Sequence, residues 1–161
     1  MHKIPLAVLL STFVVTPAIA ADMYAGVRLG KARTNITGVT YTQSTFGVLL
    51  GYTINQNWSV EAEQMDLGYI DTSNAAATSF SAMGFYPGNE PLSFFAKLSY
   101  VRSSWEVLNQ AKNKSFFSYG LGAQYDATQT VSVRLGWDNY KIGNQTTSNV
   151  QVLSIAGIVK F

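Results

Sequence analysis

The chain has 161 residues, with 11 Lys and Arg against 9 Asp and Glu, a net charge of +2, and no cysteine. The near balance excludes the basic footprint of a nucleic-acid-binding protein, and the missing cysteine excludes a disulfide framework. Charged residues make up 12% of the chain and aromatics 13%; the charged share is about half that of a soluble domain, so the surface is short of charge.

Residues 1–20 join a short basic start, an apolar run from Leu6 to Val15 and the triplet Ala18-Ile19-Ala20. This is the pattern of a secretory signal peptide. Ser11, Thr12 and Thr16 interrupt the run before it reaches the roughly 18 apolar residues of a spanning helix. Cleavage is expected after Ala20, which leaves 21–161 as one domain and lowers the Lys and Arg count from 11 to 10. No later segment is a long apolar run, so residence in a membrane requires a closed barrel.

Period-two alternation then runs through the chain. In MYAGVRLGKAR, Ala25, Val27 and Leu29 share one face and Tyr24, Gly26, Arg28 and Gly30 the other. A polar stretch, Thr34 to Thr42, precedes FGVLLGYTI, where Phe46, Val48, Leu50, Tyr52 and Ile54 align. After the turn Asn55-Gln56-Asn57, the third strand opposes Trp58, Val60 and Ala62 to Glu61 and Glu63. The polar stretch Asp71 to Thr78 leads into SFSAMGFYP, whose phase stays open between Phe80/Tyr86 and Met83/Phe85.

Past the turn PGNEP, Phe94, Ala96, Leu98 and Tyr100 oppose Lys97 and Ser99. The polar stretch from Ser104 to Lys114 separates this strand from FFSYGLGAQYD, where Phe117, Tyr119, Leu121, Ala123 and Tyr125 oppose Ser118, Gly120, Gly122 and Gln124. Val131, Val133, Leu135 and Trp137 then oppose Ser132, Arg134, Gly136 and Asp138, and a loop from Lys141 to Asn149 leads to QVLSIAGIVKF. Eight strands, joined alternately by tight turns and by loops of about ten residues, predict an all-β, eight-stranded antiparallel transmembrane barrel.

A soluble eight-stranded barrel would put the apolar phase inside. Here that phase is continuous and carries aromatic pairs six residues apart, Phe46 with Tyr52, Phe94 with Tyr100 and Tyr119 with Tyr125. Rings recurring near both ends of a greasy face suit interfacial girdles, although each pair spans only about 14 Å of a band of about 25 Å. The lipid-facing reading is therefore preferred.

The last strand resembles the C-terminal assembly signal of bacterial outer-membrane barrels, polar-x-Gly-x-x-apolar-x-aromatic. Ser154, Val159 and Phe161 fit it, while Ala156 fills the glycine position and Gly157 follows one place late. GYTINQNWSVEAEQMDLG, LSFFAKLSYVR and AQYDATQTVSVRLGWDNY resemble, in order and spacing, segments of the OmpA-like and opacity-type small outer-membrane barrels. The resemblance implies periplasmic termini, short periplasmic turns, exposed loops, a Gram-negative outer-membrane location, and delivery by the barrel-assembly machinery through the C-terminal strand.

With the amino terminus in the periplasm, Arg28, Glu61, Glu63, Lys97 and Arg134 fall in about one layer of the lumen. They are expected to pair, and to hydrogen-bond Ser118, Gln124 and Ser154, because unpaired charges in a narrow interior are costly. A structural plug is the preferred reading. A salt-bridge gate, as proposed for relatives in the family, is the alternative and makes the protein a narrow, minor pore for small solutes or ions.

Enzyme chemistry is not expected: the sole histidine, His2, leaves with the leader, and acyl chemistry requires a nucleophile activated by a base. No catalytic residue, metal or cofactor is assigned; Asp66 and Asp71 supply at most a weak calcium site. Tyr41, Tyr69, Trp105 and Tyr140 are the candidate loop contacts for a host or surface ligand, with outer-membrane lipid and lipopolysaccharide as the remaining partners. The expected role is structural in the envelope, with surface interaction through the loops.

Overall fold

The computed structural model describes residues 22–36, 39–70, 73–88, 91–107, 110–141 and 149–161; the expected leader, Asp71 and most of the last loop lie outside them. Its strands are β1 (Met23–Ile36), β2 (Val39–Asn55), β3 (Trp58–Ile70), β4 (Ser73–Pro87), β5 (Leu92–Val107), β6 (Gln110–Asp126), β7 (Val131–Lys141) and β8 (Asn149–Lys160). Each pairs antiparallel with the next, and β1 pairs with β8, which closes the sheet. Closure leaves no edge whose backbone groups would face lipid unpaired.

Stagger positions everything in the lumen. The register runs from Tyr24 through Gly51, Glu61, Ser81, Ser99, Ser118, Tyr140 and Val150 and returns to β1 at Thr34, ten residues above its start. A sheet closed with that shear has strongly tilted strands and an interior just wide enough for side chains to fill. The start of β1 and the end of the chain lie together at one end of the barrel, where Phe161 N donates to Met23 O at 2.9 Å.

Side chains sort as a membrane barrel requires. Val27, Leu29, Val48, Leu98, Leu121, Leu135 and Ile155 are exposed on the outer wall, whereas Arg28, Glu61, Glu63, Lys97 and Arg134 are buried inside. A soluble barrel has the opposite arrangement. Trp58, Tyr52, Tyr86 and Phe94 ring the outer wall near the termini; Phe46, Phe80, Tyr100 and Phe117 ring it toward the far end.

Two features differ from the sequence expectation. The open phase of β4 is settled by its partners: Phe80 and Tyr86 face outward, while Met83 is fully buried and the Phe85 ring lies 5.8 Å from that of Phe95 inside. The polar stretches near 34–42, 71–78 and 104–114 are largely strand, because β1 continues to Ile36, β2 starts at Val39, β4 at Ser73 and β6 at Gln110. Polar composition made these runs read as loops, and the backbone ladder continues through them regardless.

Interior glycines give aromatic rings room. Gly51 faces Tyr24 across β1–β2 and Gly122 faces Phe95 across β5–β6. A Cβ at either position would overlap the facing ring.

Candidate functional site

The inward positions of β1, β3, β5 and β7 bring three cations and three carboxylates together. Arg28 Nη1 donates to both oxygens of Glu63 at 3.0 and 2.9 Å, its Nε donates to Ser154 Oγ at 2.8 Å, and its Nη2 pairs with Asp138. Lys97 Nζ lies 3.0 Å from Asp138 Oδ1 and 3.7 Å from Glu63 Oε2. Two cations thus share two carboxylates in a closed group of four.

The second group is centred on Arg134. Its Nη1 donates to Glu61 Oε2 at 2.6 Å, and its Nε and Nη2 donate to Gln124 Oε1 at 3.2 and 3.0 Å. Tyr24 OH donates to Glu61 Oε2 at 3.2 Å. The guanidinium carbon sits 5.3 Å from the centroid of Phe95 and 5.6 Å from that of Tyr24, within cation–π range. Charge balance, with ion pairs and hydrogen bonds on each group, offsets the desolvation of ions this deep.

Beyond these ions, toward the far end, comes an apolar layer. One inward step past Glu63 is Met65, one past Asp138 is Tyr140, one past Ser154 is Val152, and two past Lys97 is Val101. These four pack with Ala32, Ala77 and Val150 as one buried cluster. On the other side Arg134 meets Met83 Sδ at 3.7 Å and the rings of Phe95 and Tyr24, and Tyr24 packs with Leu49, Ala156 and Ile158. The free space among Arg28, Glu61, Lys97, Arg134, Asp138 and Ser154 is about 10 Å³, room for no more than about one water.

The structure therefore brings Arg28, Glu61, Glu63, Lys97 and Arg134 together, joined by Gln124 and Ser154. Ser118 does not join: its hydroxyl is buried without a hydrogen-bond partner among the described residues. Asp138 and Tyr24, which alternation puts on the faces of Arg134 and Arg28, are the members that the expected layer left out; each lies four residues from its arginine, close enough to join it.

Tyr140 is a correction. It is 2% exposed inside the barrel and makes an edge contact with the Phe116 ring, so it is not available as a loop contact. Tyr41 is exposed, 52%, on β2. Tyr69 and Trp105 belong to β3 and β5, with side chains outside the described residues. Among the C-terminal signal residues, Ser154 points into the lumen, and Val159 and Phe161 are exposed on the outer wall. Ala156 is buried and Gly157 faces outward, which fits a small residue inside at that level.

Residues 6–156 match the family model described as outer membrane protein beta-barrel domain. The chain belongs to that family. As an outer-membrane β-barrel, it shares its architecture with solved structures at low identity. Neisserial surface protein A superposes with a TM-score of 0.63 at 19% identity, covering 86% of this chain and 97% of that one. The attachment invasion locus protein Ail of Yersinia pestis gives 0.60 at 16% identity, covering 88% and 99%. OprG of Pseudomonas aeruginosa gives 0.58 at 9% identity, covering 88% and 98%. No curated protein matches the chain.

Proposed function

We propose that this outer-membrane barrel is neither an enzyme nor a pore: its role is structural in the envelope, and its far rim carries surface recognition. The observation that carries the reading is the filled lumen, in which balanced charges leave about 10 Å³ and an apolar layer seals the far side. Conduction needs a hydrated path, and neither layer supplies one. The buried carboxylates are held by Arg28, Lys97 and Arg134 away from the lipid face, which leaves them no substrate to act on.

In this reading the chain is exported with its leader removed after Ala20 and inserted into a Gram-negative outer membrane by the barrel-assembly machinery acting on β8. Bilayer lipid and lipopolysaccharide surround the band. Polar strand extensions beyond that band present Tyr41 to a host or environmental ligand, with Tyr69 on β3 and Trp105 on β5 as further proposed contacts. A recognition role is supported by architecture shared with Ail, an attachment invasion locus protein with a structure in complex with the heparin analogue sucrose octasulfate.

The test pairs planar-bilayer recording with binding of intact cells to immobilised host and envelope components. Silence in the bilayer, together with binding that weakens on Tyr41→Ala, is expected. Discrete conductance without cell binding would favour the pore reading.

A further inference from the structure

β1 leaves the apolar belt with two cations on its outer face. Val27 and Leu29 are followed on that face by Lys31 and Arg33, both exposed. Lys31 lies between Ser44 on β2 and Leu153 on β8, and Arg33 lies between Thr42 and Gln151. All four neighbours are exposed and none is charged. Neither cation has an ion pair among the described residues. Asp66, exposed toward the same end, stands two strands away beside Phe46 and is already engaged. Two positions apart on one face, the Lys31 and Arg33 backbones are about 7 Å from each other, a gap that two long side chains bridge through a single anion.

The wall decides what kind of anion that is. Next to Lys31, toward the termini, Leu29, Leu153 and Ile155 are all exposed, so an occupant that reaches both cations also lies along a surface suited to acyl chains. We propose that Lys31 and Arg33 form the headgroup site of a lipid carrying a phosphate monoester, with Ser44, Thr42 and Gln151 beside its oxygens and an acyl chain on Leu29 and Leu153. A monoester carries a charge of about −1.5 to −2 and three accepting oxygens, which matches two cations with no acid between them; a diester brings a single charge. The exposed ions are distributed in the same sense. Lys31, Arg33 and Arg102 outnumber Asp66 toward the far end, whereas the end with the termini carries Asp22 and the Asp126–Lys160 pair. Arg102 stands between Thr78 and Ser115 without a second cation, so it supplies the comparison. The inference deepens, and rests on, the reading that outer-membrane lipid surrounds the band.

The purified full chain in mild detergent is mixed with equal amounts of phosphatidic acid and phosphatidylglycerol of identical acyl chains, and weighed intact by native mass spectrometry. Retention of phosphatidic acid about fivefold over phosphatidylglycerol is expected. Lys31→Gln with Arg33→Gln levels the two lipids, Lys31→Arg with Arg33→Lys keeps the preference, and Arg102→Gln leaves it unchanged. Heat-modifiable migration reports the barrel separately, and Lys31→Gln alone replaces the double variant should that one fail to fold. Equal retention of both lipids by the parent, an undiminished preference in the folded Gln variant, or an equal loss in Arg102→Gln would overturn the proposal. Displacement of the lipid by equimolar glycerol 3-phosphate would also overturn it, by marking a site for a soluble anion. Tyr41→Cys gives this cysteine-free chain one thiol, and its labelling on intact cells by an impermeant maleimide tests the outside placement of the far end. Absent labelling overturns that placement, whereas the lipid competition on purified protein judges the site.

Discussion

Arg134 on β7 and Glu61 on β3 meet across the lumen at 2.6 Å, although their strands are not neighbours in the sheet. The ten-residue stagger makes this contact, because tilted strands bring inward side chains from opposite walls to one level. A cross-lumen ion pair of this kind ties two walls that the hydrogen-bond ladder connects only around the circumference.

Glu61→Gln is expected to destabilise the barrel by about 3 kcal/mol, since it leaves the buried Arg134 guanidinium without its carboxylate. Glu61→Leu combined with Arg134→Met removes both charges and should cost less than Glu61→Gln alone. Reversible urea unfolding in detergent micelles measures both. A double variant less stable than the single would show that the pair itself contributes the stability.

Glu63, Asp138, Arg28 and Lys97 act as a set in which each ion touches two of opposite sign. A cycle of Glu63→Gln and Lys97→Met should therefore be non-additive by about 1 kcal/mol or more. Additive effects in the same unfolding assay would mean that the 3.7 Å contact is energetically idle.

Gly51→Val and Gly122→Val push a side chain into the rings of Tyr24 and Phe95. Overpacking of this kind costs about 1–3 kcal/mol. Gly157→Val faces open space outside and should be tolerated. Thermal unfolding followed by circular dichroism distinguishes the three.

Phe161 donates its N–H to Met23 and exposes its ring on the outer wall, so it serves both closure of β8 on β1 and the outward apolar display. Deleting it, or replacing it by Asp, should cut assembled protein severalfold. Heat-modifiable migration of outer-membrane fractions reads that yield, and unchanged assembly would remove Phe161 from any assembly role.

Alternation declares the outward face wherever one parity is apolar and the other small or charged, as in β1, β2 and β5. In β4 aromatics occupy both parities, Phe80 and Tyr86 against Phe85, and only pairing to β3 and β5 decides between them. Polar runs such as 104–114 read as loops because composition reports solvation, whereas hydrogen bonding sets the backbone. Five of the six charged members of the lumen layer stand out in the sequence because mid-strand ions need partners. Tyr140 is harder to find: it follows Trp137 near a strand end, where an aromatic looks like a rim, and only carrying the parity of Arg134 and Asp138 one step further puts it inside.

The closed lumen is tested most directly by single-channel recording of the purified barrel in planar bilayers, run in parallel on the parent, Glu61→Gln and Glu63→Gln. A baseline free of discrete steps is expected for all three, because loss of one acid loosens the ion layer while Met65, Val101, Tyr140 and Val152 still seal the far side. Stepwise conductance in the parent, increased in the Glu63→Gln variant, would contradict the plug and identify the ion layer as a gate.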